Sequence, residues 1–97
     1  MYEIEITYNA REDLKALRKH EQAEALEAIE SQLPYEPTVE TRNRKRLEPN
    51  EVAEWELRVG RLRILYDVHE RIKVVSVEVI GYKIGNNLIV RGERKEL

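Results

Sequence analysis

The sequence predicts an α+β fold: an N-terminal strand, a two-helix hairpin, then three to four antiparallel strands forming a twisted sheet with the helices packed on one face. Three observations predict it. Residues 2–8 alternate apolar and polar, the period of a half-buried strand. Residues 9–33 carry apolar positions at helical spacings of three and four. From Trp55 the two-residue alternation returns, broken by turn residues.

In the first strand Tyr2, Ile4, Ile6 and Tyr8 face one way; Glu3, Glu5 and Thr7 face the other. Asn9 then reads as a helix N-cap, with Glu12 three residues on as in a capping box. Leu14 and Leu17 supply one apolar stripe. Leu26, Ile29 and Leu33 supply the next, and Pro34 ends it. No Gly or Pro separates the two patterns, and the break is placed near His20. The first helix carries Lys15, Arg18 and Lys19; the second carries Glu21, Glu24, Glu27 and Glu30. Opposite charges suit an antiparallel pair, but two solvated faces are the simpler account.

Residues 34–53 read as an irregular loop punctuated by Pro34, Pro37 and Pro49. Its centre, TRNRKRL, packs Arg42, Arg44, Lys45 and Arg46 into five positions, the most basic spot in the chain.

The stretch WELRVGRLRILYDV reads as a hairpin. Gly60-Arg61 forms a two-residue turn with Gly first, as type II′ prefers. Val59 then faces Leu62, Leu57 faces Ile64 and Trp55 faces Tyr66, all on the core face. On the outer face Arg58 lies across from Arg63. A like-charge pair there is destabilising by up to roughly 1 kcal/mol if nothing sits between. A turn at Glu70-Arg71 adds the next strand, with Tyr66 facing Val75, Ile64 facing Val77 and Leu62 facing Val79. Arg63 then meets Glu78, and Arg58, Arg63 and Glu78 line up, flanked by Leu65, Val74 and Ile80. That apolar flank predicts a covered or binding surface. Gly81, Gly85 and Gly92 read as bends, and Asn86-Asn87 as a turn. Leu88 to Val90 fit an edge strand or a cover over the outer face. The closing GERKEL reads as mobile.

Length and composition set the bounds. The 97 residues suit one domain, 1–97, of which 84–97 is the least patterned part. Charged residues make up 37% but the net is −2, so the chain is expected to fold, and bulk nucleic-acid affinity is disfavoured. The absence of cysteine excludes disulfides and thiolate metal sites and suits the cytoplasm. No basic-then-apolar leader opens the chain, and no apolar run approaches the roughly 18 residues a membrane span needs. His20 and His69 lie far apart among polar residues, so neither a zinc site nor a His-based triad is expected.

No P-loop, dinucleotide fingerprint, nucleophile elbow or metal pattern occurs. The remaining chemistry is cationic. Arg58, Arg63 and the turn residue Arg61, with Arg42, Arg44, Lys45 and Arg46 nearby, suit phosphate or RNA binding. Such guanidinium groups also stabilise a phosphorane-like transition state. Glu78 beside Arg63 would orient it or serve as a base. An ordinary cross-strand ion pair explains Glu78 equally well, and a protein partner's acids would complete the same line.

The segment EWELRVGRLRILYDV, followed by VVSVEVIGYK, resembles the RelE/ParE superfamily of toxins from type II toxin–antitoxin modules. The shared pattern is "LR…GxxRxxY", then an apolar strand ending in Gly and a basic residue. Here these are Leu57-Arg58, Gly60, Arg63, Tyr66 and Gly81-Tyr82-Lys83. The resemblance spans Tyr2 to about Lys83. It implies a small cytoplasmic toxin neutralised by a cognate antitoxin, the pair repressing its own operon so that operator DNA is met through the antitoxin. RelE-type members cleave mRNA on the ribosome with basic residues and the RNA's own 2′-hydroxyl, and need no cofactor or metal. ParE-type members act on DNA gyrase. Carried over by position, Arg63, Arg58 and Lys83 are the catalytic candidates. Glu54 and Glu56 stand where RelE-type ribonucleases place lysines, and no Tyr or His follows Tyr82. The expected function is therefore a metal-independent, ribosome-dependent mRNA endoribonuclease. The alternatives are a non-catalytic toxin that binds a target such as gyrase, or an interaction domain whose catalysis has decayed.

Overall fold

A computed structural model describes residues 1–97. Strand β1 (Glu3–Ile6) leads into α1 (Tyr8–Lys15) and α2 (Lys19–Gln32). Six strands follow: β2 (Arg44–Arg46), β3 (Trp55–Val59), β4 (Leu62–His69), β5 (Val74–Ile84), β6 (Asn87–Val90) and β7 (Glu93–Lys95). Neighbours pair antiparallel in the order β2-β3-β4-β5-β6-β7, while β1 runs parallel beside the first half of β5. No helix is long and apolar enough to cross a membrane.

The expected α+β order is present, with more strands than predicted. Ala10, Ala25 and Ile29 of the helices, with Leu17 between them and Leu33 just past the end of α2, pack on Trp55, Leu57, Ile64, Tyr66, Val75, Val77 and Ile80 in one core. Burial of these side chains is the main favourable term in folding. Trp55 and Tyr66 stack across β3 and β4 with ring centres 6.3 Å apart. The Tyr66 hydroxyl donates to the Pro37 carbonyl at 2.7 Å, and burial pushes its pKa well above the ordinary tyrosine value. A smaller cluster on the opposite face joins Ala53, Leu65, Val79 and Leu88, with Leu47, Val52 and Val90 against it. The outer face is thus partly covered, by the segment between β2 and β3.

Several local expectations need correction. The helix begins two residues early: Thr7 is the N-cap, and its hydroxyl accepts the Ala10 N–H at 3.1 Å. The β1–β5 pairing ends at Ile6, which frees the Thr7 side chain to cap. The break between helices lies at residues 16–18, and His20 sits in the first turn of α2. Gln22 Nε2 donates to the Leu17 carbonyl at 2.8 Å and helps close that break without Gly or Pro. No ion pair joins the two helices: Lys15 bonds Glu12, and Glu21 bonds Arg61. The basic run is not all loop, since Arg44–Arg46 pairs with β3 as an edge strand. GERKEL contributes β7, closed by a turn at Arg91-Gly92 with positive φ at both residues. The preceding turn uses Gly85-Asn86.

The β3–β4 hairpin has the predicted register, including Arg58 opposite Arg63. Gly60 has φ 57°, as the first position of a type II′ turn requires. The β4–β5 register differs from the prediction. The turn spans residues 70–73, closed by His69↔Val74, so the strands slide relative to the expected pairing. A bulge between Leu65 and Tyr66 leaves Glu78 without a partner across the strand. Arg63 consequently faces Gly81, Val79 turns outward and Ile80 turns into the core.

β1 and β6 share one edge of β5, and a gap separates them. Asp13, 2% exposed, fills it by accepting the Ile80 N–H at 3.1 Å. Arg91 Nε donates to the same carboxylate at 2.6 Å and ties the β6–β7 hairpin to α1. Asp13→Ala is expected to destabilise the fold by about 1–3 kcal/mol, because a buried N–H loses its acceptor. A urea midpoint equal to that of the parent would refute this role.

Candidate functional site on the outer sheet face

The site is built by register. Directly paired residues share a face, so Lys45, Glu56, Leu65 and Val79 line up across the outer face. Arg58, Arg63 and Gly81 form the adjacent line. Lys83 follows Gly81 on the same side, because the bulge at Glu78 reverses the parity of β5. Its backbone N–H donates to the Arg61 carbonyl at 2.9 Å, which seats it beside the β3–β4 turn. Arg63 thus lies across from Gly81, with Lys83 two residues along β5 and Arg58 one strand beyond Arg63, all on the same side. A methyl group at Gly81 would run into the Ile89 carbonyl of β6, so the position admits only glycine without a shift.

Glu56, not Glu78, relieves the arginine pair. Glu56 is 4% exposed and accepts from Arg58 Nε at 2.8 Å. Arg63 turns its Nη1 back onto the carbonyls of Gly60 (2.7 Å) and Leu62 (2.8 Å). Its Nε is buried without an acceptor. Desolvation lowers the Arg63 pKa from its ordinary value, Glu56 opposes that shift and Arg58 adds to it; the group still stays charged. Glu78 touches neither arginine. It accepts from Ser76 Oγ at 2.6 Å and lines a separate cleft with Arg91 and Arg94.

The other cationic candidates do not gather at one place. Arg44 is 8% exposed, and its Nη1 donates to the Glu36 and Val39 carbonyls at 2.8 and 3.0 Å, bracing the loop after α2. Arg46 pairs with Glu54 at 3.3 Å and lies 5.6 Å above Trp55. Arg42 is exposed in a bend before β2. Only Lys45 of this run shares the outer face with Glu56. Arg61 binds Glu21 at 2.8 Å and stacks 4.1 Å over Tyr82. Strand alternation explains the dispersal within β2, since Lys45 must face away from Arg44 and Arg46. Glu56 is the site residue that sequence reasoning missed. Its place two residues before Arg58, on the same side of one strand, was the available signal. No group of three or more His, Cys, Asp or Glu side chains is arranged to hold a metal ion.

The Glu21–Arg61 bond makes stability depend on pH. The Arg61 hydrogen bond chiefly, and its charge, hold the Glu21 carboxyl below the usual glutamate value against the opposing effect of burial. A depressed carboxylate stabilises the fold fully above the ordinary value of about 4, and that contribution is lost as pH falls through the lower folded value. Glu21→Gln is expected to remove this part of the acid sensitivity. Denaturation midpoints measured across that range should fall less steeply for Glu21→Gln than for the parent; parallel curves would refute the linkage.

Comparison with known proteins gives this face a context. A family model of the ParE toxin of type II toxin–antitoxin systems matches residues 4–85. A comparison with curated proteins finds no match. Among solved structures, the chain is similar to one in the RelBE2 toxin–antitoxin complex of Mycobacterium tuberculosis. That similarity has a TM-score of 0.74 and 26% identity, covering 84% of this chain and 98% of the other. It is also similar to a chain of the archaeal RelE–RelB complex from Pyrococcus horikoshii. There the TM-score is 0.65 and the identity 25%, covering 81% and 91%. The strand–helix–helix–sheet order and the extent of these matches lead to one conclusion: the chain belongs to the RelE/ParE superfamily and is a toxin of a type II toxin–antitoxin system.

Proposed function

We propose that this toxin is a metal-independent endoribonuclease that cleaves mRNA on the ribosome and stops translation, and that a cognate antitoxin neutralises it. One observation carries the reading: a single carboxylate, Glu56, bonded to Arg58 and acting on Arg63, on the face that also presents Lys83 around Gly81. The nucleophile is the RNA's own 2′-hydroxyl, so no activated water is required. Glu56 takes the hydroxyl proton while the 2′-oxygen bonds to phosphorus. Arg58 and Arg63 bear the added charge on the pentavalent phosphorus. The bond to the 5′-oxygen then breaks, Lys83 supplies a proton to it, and a 2′,3′-cyclic phosphate and a 5′-hydroxyl result. Arg58 is the movable part: its side chain is 46% exposed, and a phosphate that draws it away opens Glu56 to the substrate.

The antitoxin partner is supported by the two similar structures, both of which are toxin–antitoxin complexes. The pair would meet its operator DNA through the antitoxin. One second reading has its own support: a toxin that binds a protein target such as gyrase without cutting RNA. Arg63 already bonds the carbonyls of its own turn, and the matching family model is that of ParE.

Induction in cells with and without the antitoxin separates the two. Mapping mRNA ends by primer extension should show breaks within translated codons, lost on antitoxin co-expression. Glu56→Gln, nearly isosteric, is expected to slow cleavage by roughly 100-fold or more, the usual effect of losing a positioned base. Arg63→Ala should slow it comparably by removing a transition-state donor. Growth arrest with intact mRNA would overturn the nuclease and leave the binding toxin.

A further inference from the structure

We infer that the β6–β7 hairpin adds a phosphate subsite to the outer face, in which Lys95 positions the RNA phosphate next to the one being cleaved. The inference rests on the nuclease reading for the identity of the ligand, and on independent geometry for the subsite.

The register pairs Lys83 with Leu88 and Leu88 with Lys95, so both lysines lie on one face with a leucine between them. Two strand spacings put their backbones about 10 Å apart. Leu88 is buried, Lys83 is partly exposed and Lys95 is exposed. Neither ammonium has a carboxylate within ion-pair distance. Their neighbours do: Arg91 is held by Asp13, and Arg94 bonds Glu96 at 2.9 Å. A cleft of about 210 Å³ opens between Lys83 and Lys95, lined also by Asn86 and Asn87, whose amides add donors, and by Arg94, its partner Glu96 and the terminal Leu97. Two unpaired like charges facing one cleft gain nothing from each other. They fit a bound anion. Lys83 also borders Gly81 and the arginines, so the cleft continues the line that the scissile phosphate would occupy. A chain of phosphates fits this surface better than an isolated acid. The hairpin lies beyond residues 4–85, so Lys95 is a feature of this chain that the family match does not include.

The test compares Lys95→Ala with Lys19→Ala, which removes an exposed lysine from α2, outside the lining of the cleft. Binding of a fluorescent single-stranded oligoribonucleotide is measured against salt concentration. Lys95→Ala should weaken binding and lower the log–log salt slope by about 0.7, one phosphate contact on a single strand. Lys19→Ala should leave the slope unchanged, and Lys95→Arg should restore it. In a translating extract, Lys95→Ala should raise KM for mRNA cleavage with kcat unchanged. A slope for Lys95→Ala equal to that for Lys19→Ala overturns the subsite, even where the parent cleaves mRNA as proposed. A parent that binds the oligonucleotide through Lys95 yet leaves ribosome-bound mRNA intact in a translating extract supports the subsite and overturns the nuclease. Loss of antitoxin affinity in Lys95→Ala, with RNA binding intact, overturns the subsite in favour of a protein contact.

Discussion

Side chains on a strand alternate between faces, so one extra residue reverses everything beyond it. β5 carries such a residue, Glu78, opposite the Leu65–Tyr66 step. Before it, Val75 and Val77 point into the helix-packed core; after it, Ile80 and Tyr82 do. Without the bulge Ile80 would leave the core, and Gly81 and Lys83 would enter it. The arrangement of the outer face follows from this single irregularity. It puts glycine opposite Arg63, where β6 approaches too closely for any side chain, and it brings Lys83 to the arginines.

Three buried acids are each matched by a half-exposed arginine: Asp13 with Arg91, Glu21 with Arg61 and Glu56 with Arg58. Such pairs add little net stability but fix which elements meet. The first ties the C-terminal hairpin to α1, and the second ties the β3–β4 turn to α2. The third joins residues two apart on one strand and holds no elements together. A buried carboxylate without an architectural task, bonded to one guanidinium group and acting through its charge on another, is the feature that most needs a chemical explanation. The pair also answers why a sheet tolerates Arg58 across from Arg63: one arginine has Glu56, and the other has two carbonyls.

Much of this was legible in the sequence. The β3–β4 hairpin was readable to the residue, because Gly60 sets the turn and six apolar side chains agree on one face. The β4–β5 register was not. VVSVEVIGY offers apolar residues on either parity, and the turn at residues 70–73 relies on Lys73 at φ 56°, a conformation that no glycine announces. The wrong register then assigned Glu78 the place that Glu56 holds. The basic run misled for a related reason: seen as a loop it is one patch, whereas as a strand it divides between faces, and Arg44 is spent on backbone carbonyls. The resemblance to RelE/ParE toxins carried the fold correctly. It also drew attention to Glu56 only as a missing lysine, which hid its position beside the arginines.

The most direct test of this account is the pairing of β4 with β5 in solution. Backbone cross-strand NOEs should join Arg63 to Gly81 and Tyr66 to Val77, with none crossing from Glu78 to Arg63. Contacts between Arg63 and Glu78 would contradict it. They would return Lys83 to the core face and dissolve the site around Gly81.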